Sequence, residues 1–459
     1  MIRLFHVYYP TRIIVLLLCE SLIVCTSFML ATAIVTGPDA YVLLNYDDGA
    51  LKIAGITALT ILCSYYFDLY QPQSIAARWE IYFRILLVLG LVSIILSGII
   101  YIFPDIAIAR YVLPLGLVLL AVALVAWRRA YEWLLGQPIF RERVFVLGEG
   151  AFAHDILRVL EGRTDTGMKV VGWGPEWPRP AESSDASPAT HGPLQRFRPP
   201  VDRVIVALDD RRQKLPVREL LRLRFEGVAI EEAGTLLERL SGKLQLEHLR
   251  PSSFIYPDGF RLKTMQQIPR RVASTLAAVL GLILFAPFFP VVALLVRLSS
   301  PGPIFFRQTR VGFRGRHFKV VKFRTMAQNA ESATGAKWAV KNDPRVTPVG
   351  RFMRKCRIDE VPQLWNVLCG DMGFVGPRPE RPEFVPILSN EMPYYHLRHM
   401  IRPGLTGWAQ VRYGYGGSLE ESRHKLEFDL YYLKHMSLGL DLLIMFETIK
   451  TIIRRRGGQ

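Results

Sequence analysis

Apolar residues dominate four long stretches in the first third of the chain, at 13–36, 51–69, 83–103 and 111–127. Each is near the ~20 residues that a bilayer demands, so the pattern predicts an N-terminal bundle of four transmembrane helices over 1–135. The first stretch is too long for a cleaved leader and has no small-residue cleavage site, which predicts a span. Arg3 and Arg12 precede it, Arg78 and Arg84 border the second loop, and Arg128 and Arg129 follow the fourth stretch. The other loops carry Asp39, Asp47, Asp48 and Asp105 against only Lys52 and Arg110. This asymmetry puts both ends of the bundle on the cytoplasmic side. Glu20 lies inside the first span, where a functional site, a helix-pairing contact and a snorkelling position are all open.

Beyond the bundle the period changes. A β-type run over 143–147 passes through Gly148-Glu149-Gly150-Ala151-Phe152-Ala153 into an amphipathic segment with Ile156, Leu157, Val159 and Leu160. That order resembles the opening of a Rossmann-like unit. Further strands are expected at 169–172 and 203–208 and helices near 215–225 and 233–241, giving an α/β middle domain over 140–245. The same glycine spacing also serves simply to turn a chain tightly, and no acid stands clearly at a ribose position. Residues 174–200, rich in Pro, Ser and Ala, read as a solvated loop.

A fifth apolar segment, 272–298, is long enough to cross, yet Pro287 and Pro290 interrupt it near the middle. Arg270 and Arg271 precede it and Arg297 lies at its far end. Basic residues at both ends predict a re-entrant helical hairpin, with a kinked span as the alternative. The tail puts Leu442, Met445, Phe446, Ile449, Ile452 and Ile453 at helical spacing. That spacing suits either a helix in the membrane interface or one packed on the core.

Charge sharpens this picture. The chain of 459 residues carries a formal charge of +17 and a mean hydropathy of +0.21. With so many apolar stretches, an anionic membrane face and phosphorylated ligands are the expected partners, and nucleic acid is not. The five cysteines show neither disulfide nor zinc spacing and read as reduced and structural.

Candidate chemistry concentrates after Pro301. A strand-like run, Phe318-Lys319-Val320-Val321-Lys322-Phe323-Arg324-Thr325-Met326, places Lys322 and Arg324 on one face, either as solvated decoration or as receivers of a diphosphate. Next, Lys355-Cys356-Arg357-Ile358-Asp359-Glu360-Val361-Pro362-Gln363-Leu364-Trp365-Asn366 sets two adjacent carboxylates after a basic cluster. Pro362 is tolerated only in a first helical turn, which makes Asp359 the expected N-cap. An aspartate there is expected to be ionised, beside a helix end that also accepts phosphate. The plain alternative is a capped helix with surface ion pairs. Downstream, Pro377 and Pro379 flank Arg378 in Gly370-Asp371-Met372-Gly373-Phe374-Val375-Gly376-Pro377-Arg378-Pro379 and would hold its guanidinium in a preset direction.

From about Leu262 onward the chain resembles the bacterial sugar transferase family, the monotopic polyprenyl-phosphate phosphoglycosyl transferases. The Lys-Phe-Arg-Thr-Met run, the Asp-Glu-x-Pro-Gln-Leu run with Asn366, the Gly-Pro-Arg-Pro run and Arg402-Pro403-Gly404-Leu405-Thr406-Gly407 carry the resemblance. The front end is similar to that of long members that initiate exopolysaccharide or O-antigen repeat units. Gly373 departs from the family pattern, which commonly has serine there. The resemblance implies a mixed α/β catalytic domain over 262–459 that moves a sugar-1-phosphate from a UDP-sugar to undecaprenyl phosphate and releases UMP. By the same resemblance Asp359 is the nucleophile, Glu360 helps hold Mg2+ or position the acceptor, and both are metal candidates. Lys322, Arg324, Arg357, Pro377, Arg378, Pro379, Arg402 and Thr406 are the implied substrate-binding residues. The implied location is the bacterial inner (cytoplasmic) membrane, multi-pass, with the catalytic domain on the cytoplasmic face; a homodimer is left open. A membrane-anchored sugar-nucleotide dehydratase or epimerase would need Tyr-x-x-x-Lys, which the chain lacks. A non-enzymatic nucleotide sensor would leave the C-terminal motifs without a role.

Overall fold

The computed structural model describes residues 2–4, 7–70, 78–109, 111–163, 166–175, 201–208, 215–249, 260, 264–326, 343, 345–413 and 418–453. Two compact units divide it: one holds Met1–Ile2 and Tyr9–Ala233, the other Arg3–Tyr8 and Gly234–Gln459.

A short strand pair, β1 (Ile2–Leu4) and β2 (Val7–Tyr9), opens the chain, and no hydrophobic period announces it. The four expected spans are α1 (Thr11–Thr36), α3 (Gly49–Tyr66), α4 (Arg78–Ile102) and α5 (Val112–Gly136), with α2 (Ala40–Tyr46) in the first loop. Val24, Phe28, Ile53, Val88, Val92 and Leu120 are almost fully buried where these helices meet, while Leu22, Leu86, Ile94 and Val122 face outward. Apolar on both faces, the helices suit a bilayer rather than water. Glu20 is buried on α1. Arg128 Nη2 of α5 donates to its Oε2 at 3.1 Å, and Tyr70 OH donates to the same oxygen at 2.7 Å.

The middle region is a four-stranded parallel sheet of β3 (Glu142–Leu147), β4 (Met168–Gly174), β5 (Arg203–Val206) and β6 (Ala229–Glu232) in the order β4-β3-β5-β6. Central strand β3 buries Val144–Leu147 continuously, as a strand covered on both faces must. Helix α6 (Ala151–Glu161) follows it and α7 (Val217–Phe225) precedes β6. Strand β6, only four residues and ending in two glutamates, carries too little period to be foreseen. Gly148 has φ +152°, and a Cβ there would lie 2.3 Å from Ala207 O. Its glycine is needed for close passage over the end of β5, which is the tight-turn use of the motif. Most of the expected loop at 174–200 lies outside the described residues.

In the second unit α8 (Ala233–Ser241) leads to α9 (Thr264–Phe285) and α10 (Phe289–Ser299), separated by one 3-10 turn, Ala286–Phe288. That turn contains Pro287, and Pro290 falls in the first turn of α10, so the interruption sits where the prolines predict. An antiparallel hairpin of β7 (Phe305–Val311) and β8 (His317–Phe323) follows, then α11 (Pro348–Lys355) and α12 (Gln363–Cys369). Strand β9 (Gly373–Val375), helix α13 (Val385–Glu391) and strand β10 (Gly404–Thr406) come next, with β9 and β10 paired in parallel. The remaining helices are α14 (Trp408–Arg412), α15 (Leu419–His435) and α16 (Leu438–Ile453). Helix α16 buries Asp441, Ile444, Glu447 and Lys450 but exposes Leu442, Ile449 and Ile453, the reverse of a helix facing water.

Candidate active site

Between α11 and α12 the chain makes a 3-10 turn, Ile358–Glu360, entered through Arg357 in the left-handed region at φ 58°. The expected N-cap at Asp359 is therefore corrected: the helical path begins two residues earlier and Asp359 lies inside the turn. Pro362 immediately precedes α12, where its missing N–H costs nothing. The tight turn buries both Asp359 and Glu360, each 7% exposed.

Three cations converge on Glu360. Lys322 Nζ is 3.0 Å and Arg378 Nη2 2.6 Å from its Oε1, and Arg357 Nη1 is 3.3 Å from its Oε2. Burial opposes ionisation of Glu360, but Arg378, Lys322 and Arg357 outweigh it and hold the carboxyl well below its usual range. Asp359 goes the other way: burial, and then the charge of Glu360, push it up to about 6 against Lys322, Arg354 and Arg357. A helix end was expected to favour the ionised form of Asp359; desolvation beside a second carboxylate shifts it the other way. Asp359 Oδ1 is buried and accepts no hydrogen bond among the described residues.

Each participant is delivered by a local device. Asn366 on α12 behaves like a strand neighbour to β8, accepting from Val321 N at 3.1 Å and donating to Lys319 O at 2.9 Å. This brings Lys322 to the turn. Arg378 is carried by a loop anchored where two motifs interlock. A Cβ on Gly404 would meet Gly376 N at 2.1 Å, and one on Gly407 would meet Gly376 O at 2.2 Å. The glycines of the Gly-Pro-Arg-Pro and Arg-Pro-Gly-Leu-Thr-Gly runs thus allow one backbone to lie on the other. Gly373 donates its N–H to Pro403 O at 2.8 Å, so this pairing needs no side chain at 373.

Other sequence candidates lie elsewhere. Arg324 is buried and donates to Val296 O and Ser300 O, closing the end of α10. Arg402 donates to Gly370 O at the end of α12 and lies over the Phe313 ring. Thr406 hydroxyl meets that of Thr448 on α16 at 2.7 Å. Pro377 and Pro379 flank Arg378 without polar side chains of their own. The structure thus gathers Asp359, Glu360, Lys322, Arg357 and Arg378 and gives Arg324, Arg402 and Thr406 packing partners. Arg354, whose charge acts on Asp359, was visible only as one of a basic cluster.

No cluster of three or more His, Cys, Asp or Glu that could hold a metal occurs among the described residues. The oxygens of Glu360 are committed to cations, whereas Asp359 retains an unpartnered one. The donor set fits an ion that takes one protein carboxylate and completes its shell with phosphate and water, as Mg2+ does.

A family profile described as bacterial sugar transferase matches residues 265–455. The chain is 42% identical over 243 residues to a UDP-N-acetylgalactosamine-undecaprenyl-phosphate N-acetylgalactosaminephosphotransferase of Aeromonas hydrophila, covering 53% of this chain and 56% of that protein. It is 30% identical over 388 residues to an undecaprenyl-phosphate glucose phosphotransferase of Komagataeibacter xylinus, covering 78% and 72% respectively. A UDP-glucose:undecaprenyl-phosphate glucose-1-phosphate transferase of Escherichia coli (strain K12) is 42% identical over 191 residues, 41% of each chain. The matched region thus spans about half the length of the first of these relatives and under half of the third.

Proposed function

This chain belongs to the bacterial sugar transferase family, and from that premise we propose that it transfers a sugar-1-phosphate from a UDP-sugar to undecaprenyl phosphate, through a covalent aspartyl intermediate. The observation that carries the reading is Asp359: a buried carboxylate with an unpartnered oxygen, beside a neutralised second acid and four cations. An Asp359 oxygen attacks the phosphorus that bears the sugar. The bond from that phosphorus to the bridging oxygen breaks, and UMP leaves with the oxygen. A phosphate oxygen of the lipid then attacks the same phosphorus and returns Asp359 to its carboxylate. Neither nucleophile needs a proton removed, so the protein's work is positioning and charge neutralisation. Arg378, Lys322 and Arg357 receive the diphosphate charge, and Glu360 keeps these cations gathered while the site is empty. Mg2+ held by Asp359 together with the substrate phosphates would add charge neutralisation at the reacting phosphorus.

Two surfaces support placement of the catalytic region against a membrane, and the arginines at the ends of the N-terminal bundle favour the cytoplasmic face of the inner one. The outward side chains of α9 and α10 are apolar (Leu276, Leu280, Ile283, Val291, Leu294), as are those of α16. Interruption at Pro287 with arginines at both ends favours the re-entrant path. Cysteines introduced at 269 and 300 should label from the same side; labelling from opposite sides would replace the hairpin with a crossing.

The decisive test omits the lipid. With a panel of UDP-sugars and Mg2+, wild-type protein should release UMP in a burst stoichiometric with enzyme and retain sugar phosphate on Asp359. Asp359→Asn should show neither burst nor turnover, while Glu360→Gln should still be labelled slowly. Substantial turnover by Asp359→Asn would mean that the two substrates react directly.

A further inference from the structure

The segment Pro377–Glu380 has no regular secondary structure, and its two prolines have no N–H to give. It cannot hold its own shape, yet it must aim a guanidinium at a buried carboxylate. Its carbonyls show how this is done. Pro377 O accepts from Gly404 N at 2.9 Å, and Glu380 O from Val311 N at 2.9 Å. Pro379 O accepts from Arg310 Nη1 at 3.1 Å, and Arg378 O from Arg398 Nη2 at 2.9 Å. Every carbonyl along the loop is held by a donor from outside it, and the one on Arg378 itself is held by a side chain.

That side chain is fixed in turn. Arg398 is 8% exposed. Its Nη2 also donates to Asp429 Oδ2 at 2.9 Å, its Nη1 donates to Tyr395 OH at 2.7 Å, and its guanidinium lies 5.1 Å from the Tyr395 ring centre. Asp429 is 2% exposed on α15, and burial raises its carboxyl against the pull of Arg398. Burying an ion pair is costly and is a poor route to stability alone. A planar fork meets three acceptors in set directions, which a lysine cannot do.

We propose that Arg398, locked by Asp429 and Tyr395, is a positioning residue: by holding the carbonyl of Arg378 it sets where the Arg378 guanidinium meets Glu360 and the diphosphate. Among the described residues Arg398 makes no hydrogen bond or ion pair with Glu360, so its effect on the reaction passes through Arg378. The inference rests on the proposed transfer reaction.

The test is a double-mutant cycle on positions 378 and 398, followed as radiolabelled sugar phosphate transferred to lipid, with thermal unfolding measured in parallel. Arg398→Lys should lower kcat/KM about ten- to hundredfold, the range that slight misplacement of a binding group brings. In an Arg378→Ala background the same change should cost less than about threefold, because the group it positions is gone. Equal losses in the two backgrounds would overturn the proposal and make Arg398 a fold residue. Tyr395→Phe removes a single bond from Arg398 and covers the case in which Arg398→Lys does not fold. Its loss, a few fold, should likewise vanish without Arg378; a persistent loss overturns the proposal, as does no loss in either background. Wild-type protein that transfers from no UDP-sugar defeats the reaction assignment and takes this inference with it, whereas an active wild type with additive losses defeats the inference alone.

Discussion

Two carboxylates in this molecule are both buried and both bound to arginine, yet they stand in opposite surroundings. Glu20, 2% exposed in the membrane bundle, meets one guanidinium and one phenol, Arg128 and Tyr70. The charges there balance one to one and tie α1 and α5 to the chain beyond α3. Glu360, 7% exposed, shares its surroundings with a second acid and with Lys322, Arg354, Arg357 and Arg378. The second cluster has cations in surplus and an acid oxygen unanswered. Burial and pairing are common to both; only the second has cations in excess, as the proposed anionic substrate requires.

The largest effect expected tests the first cluster. Glu20→Leu leaves Arg128 charged and uncompensated inside the bundle and should cost about 3–5 kcal/mol in detergent unfolding. Adding Arg128→Met should recover most or all of that loss, and transfer per folded molecule should be unaltered in both. An activity defect that persists in the stable double variant would give Glu20 a role in the reaction. Next in size, Arg378→Lys keeps the charge of the second cluster but loses the fork. It should cost about 1.5–3 kcal/mol in transition-state binding, read as a ten- to hundredfold lower kcat/KM. A wild-type rate would make Arg378 as structural as Arg128.

The smallest effect concerns pH. The Asp359 carboxyl stands at about 6 against an ordinary 3.8, so the folded protein keeps a proton that the unfolded chain has given up. The resulting stability is complete below the lower value and is lost as pH rises through about 6. Asp359→Asn cannot titrate. With a chelator present, its unfolding temperature should exceed that of wild type at pH 7, the gap closing toward pH 4. A gap that is constant with pH would remove the titration of Asp359 from the account.

Long-period features were legible in the chain. The four spans, β3, β4 and β5, α7 and the break at Pro287 follow from runs and periods that a local window contains. Strand alternation put Lys322 and Arg324 on one face, but β8 ends at Phe323, and Arg324 beyond it turns to carbonyls at 296 and 300. Membership of a motif likewise did not separate Arg378, which reaches Glu360, from Arg402 and Thr406, which hold backbone and helix in place. The entry to the turn that carries Asp359 and Glu360 was misplaced because nothing in the sequence marks Arg357 for a left-handed conformation. Arg398 and Asp429 stand outside the four motifs and 31 positions apart, so only the fold joins them.

Arg324 has one more consequence. Under the proposed topology the membrane segment is a pair of unequal arms of 22 and 11 residues. At 1.5 Å per residue the apolar part of the first arm, from Val272 to Phe285, reaches about 21 Å and the second about 16 Å, so both stop short of the ~30 Å of a hydrocarbon core. The end of the short arm is fastened by Arg324, which sits two positions along from Lys322. The strand that carries Lys322 to Glu360 is thereby set at a height counted in helical residues. Each residue inserted into the short arm would shift that height by about 1.5 Å. The pair works as a depth gauge, with the headgroup plane as its zero.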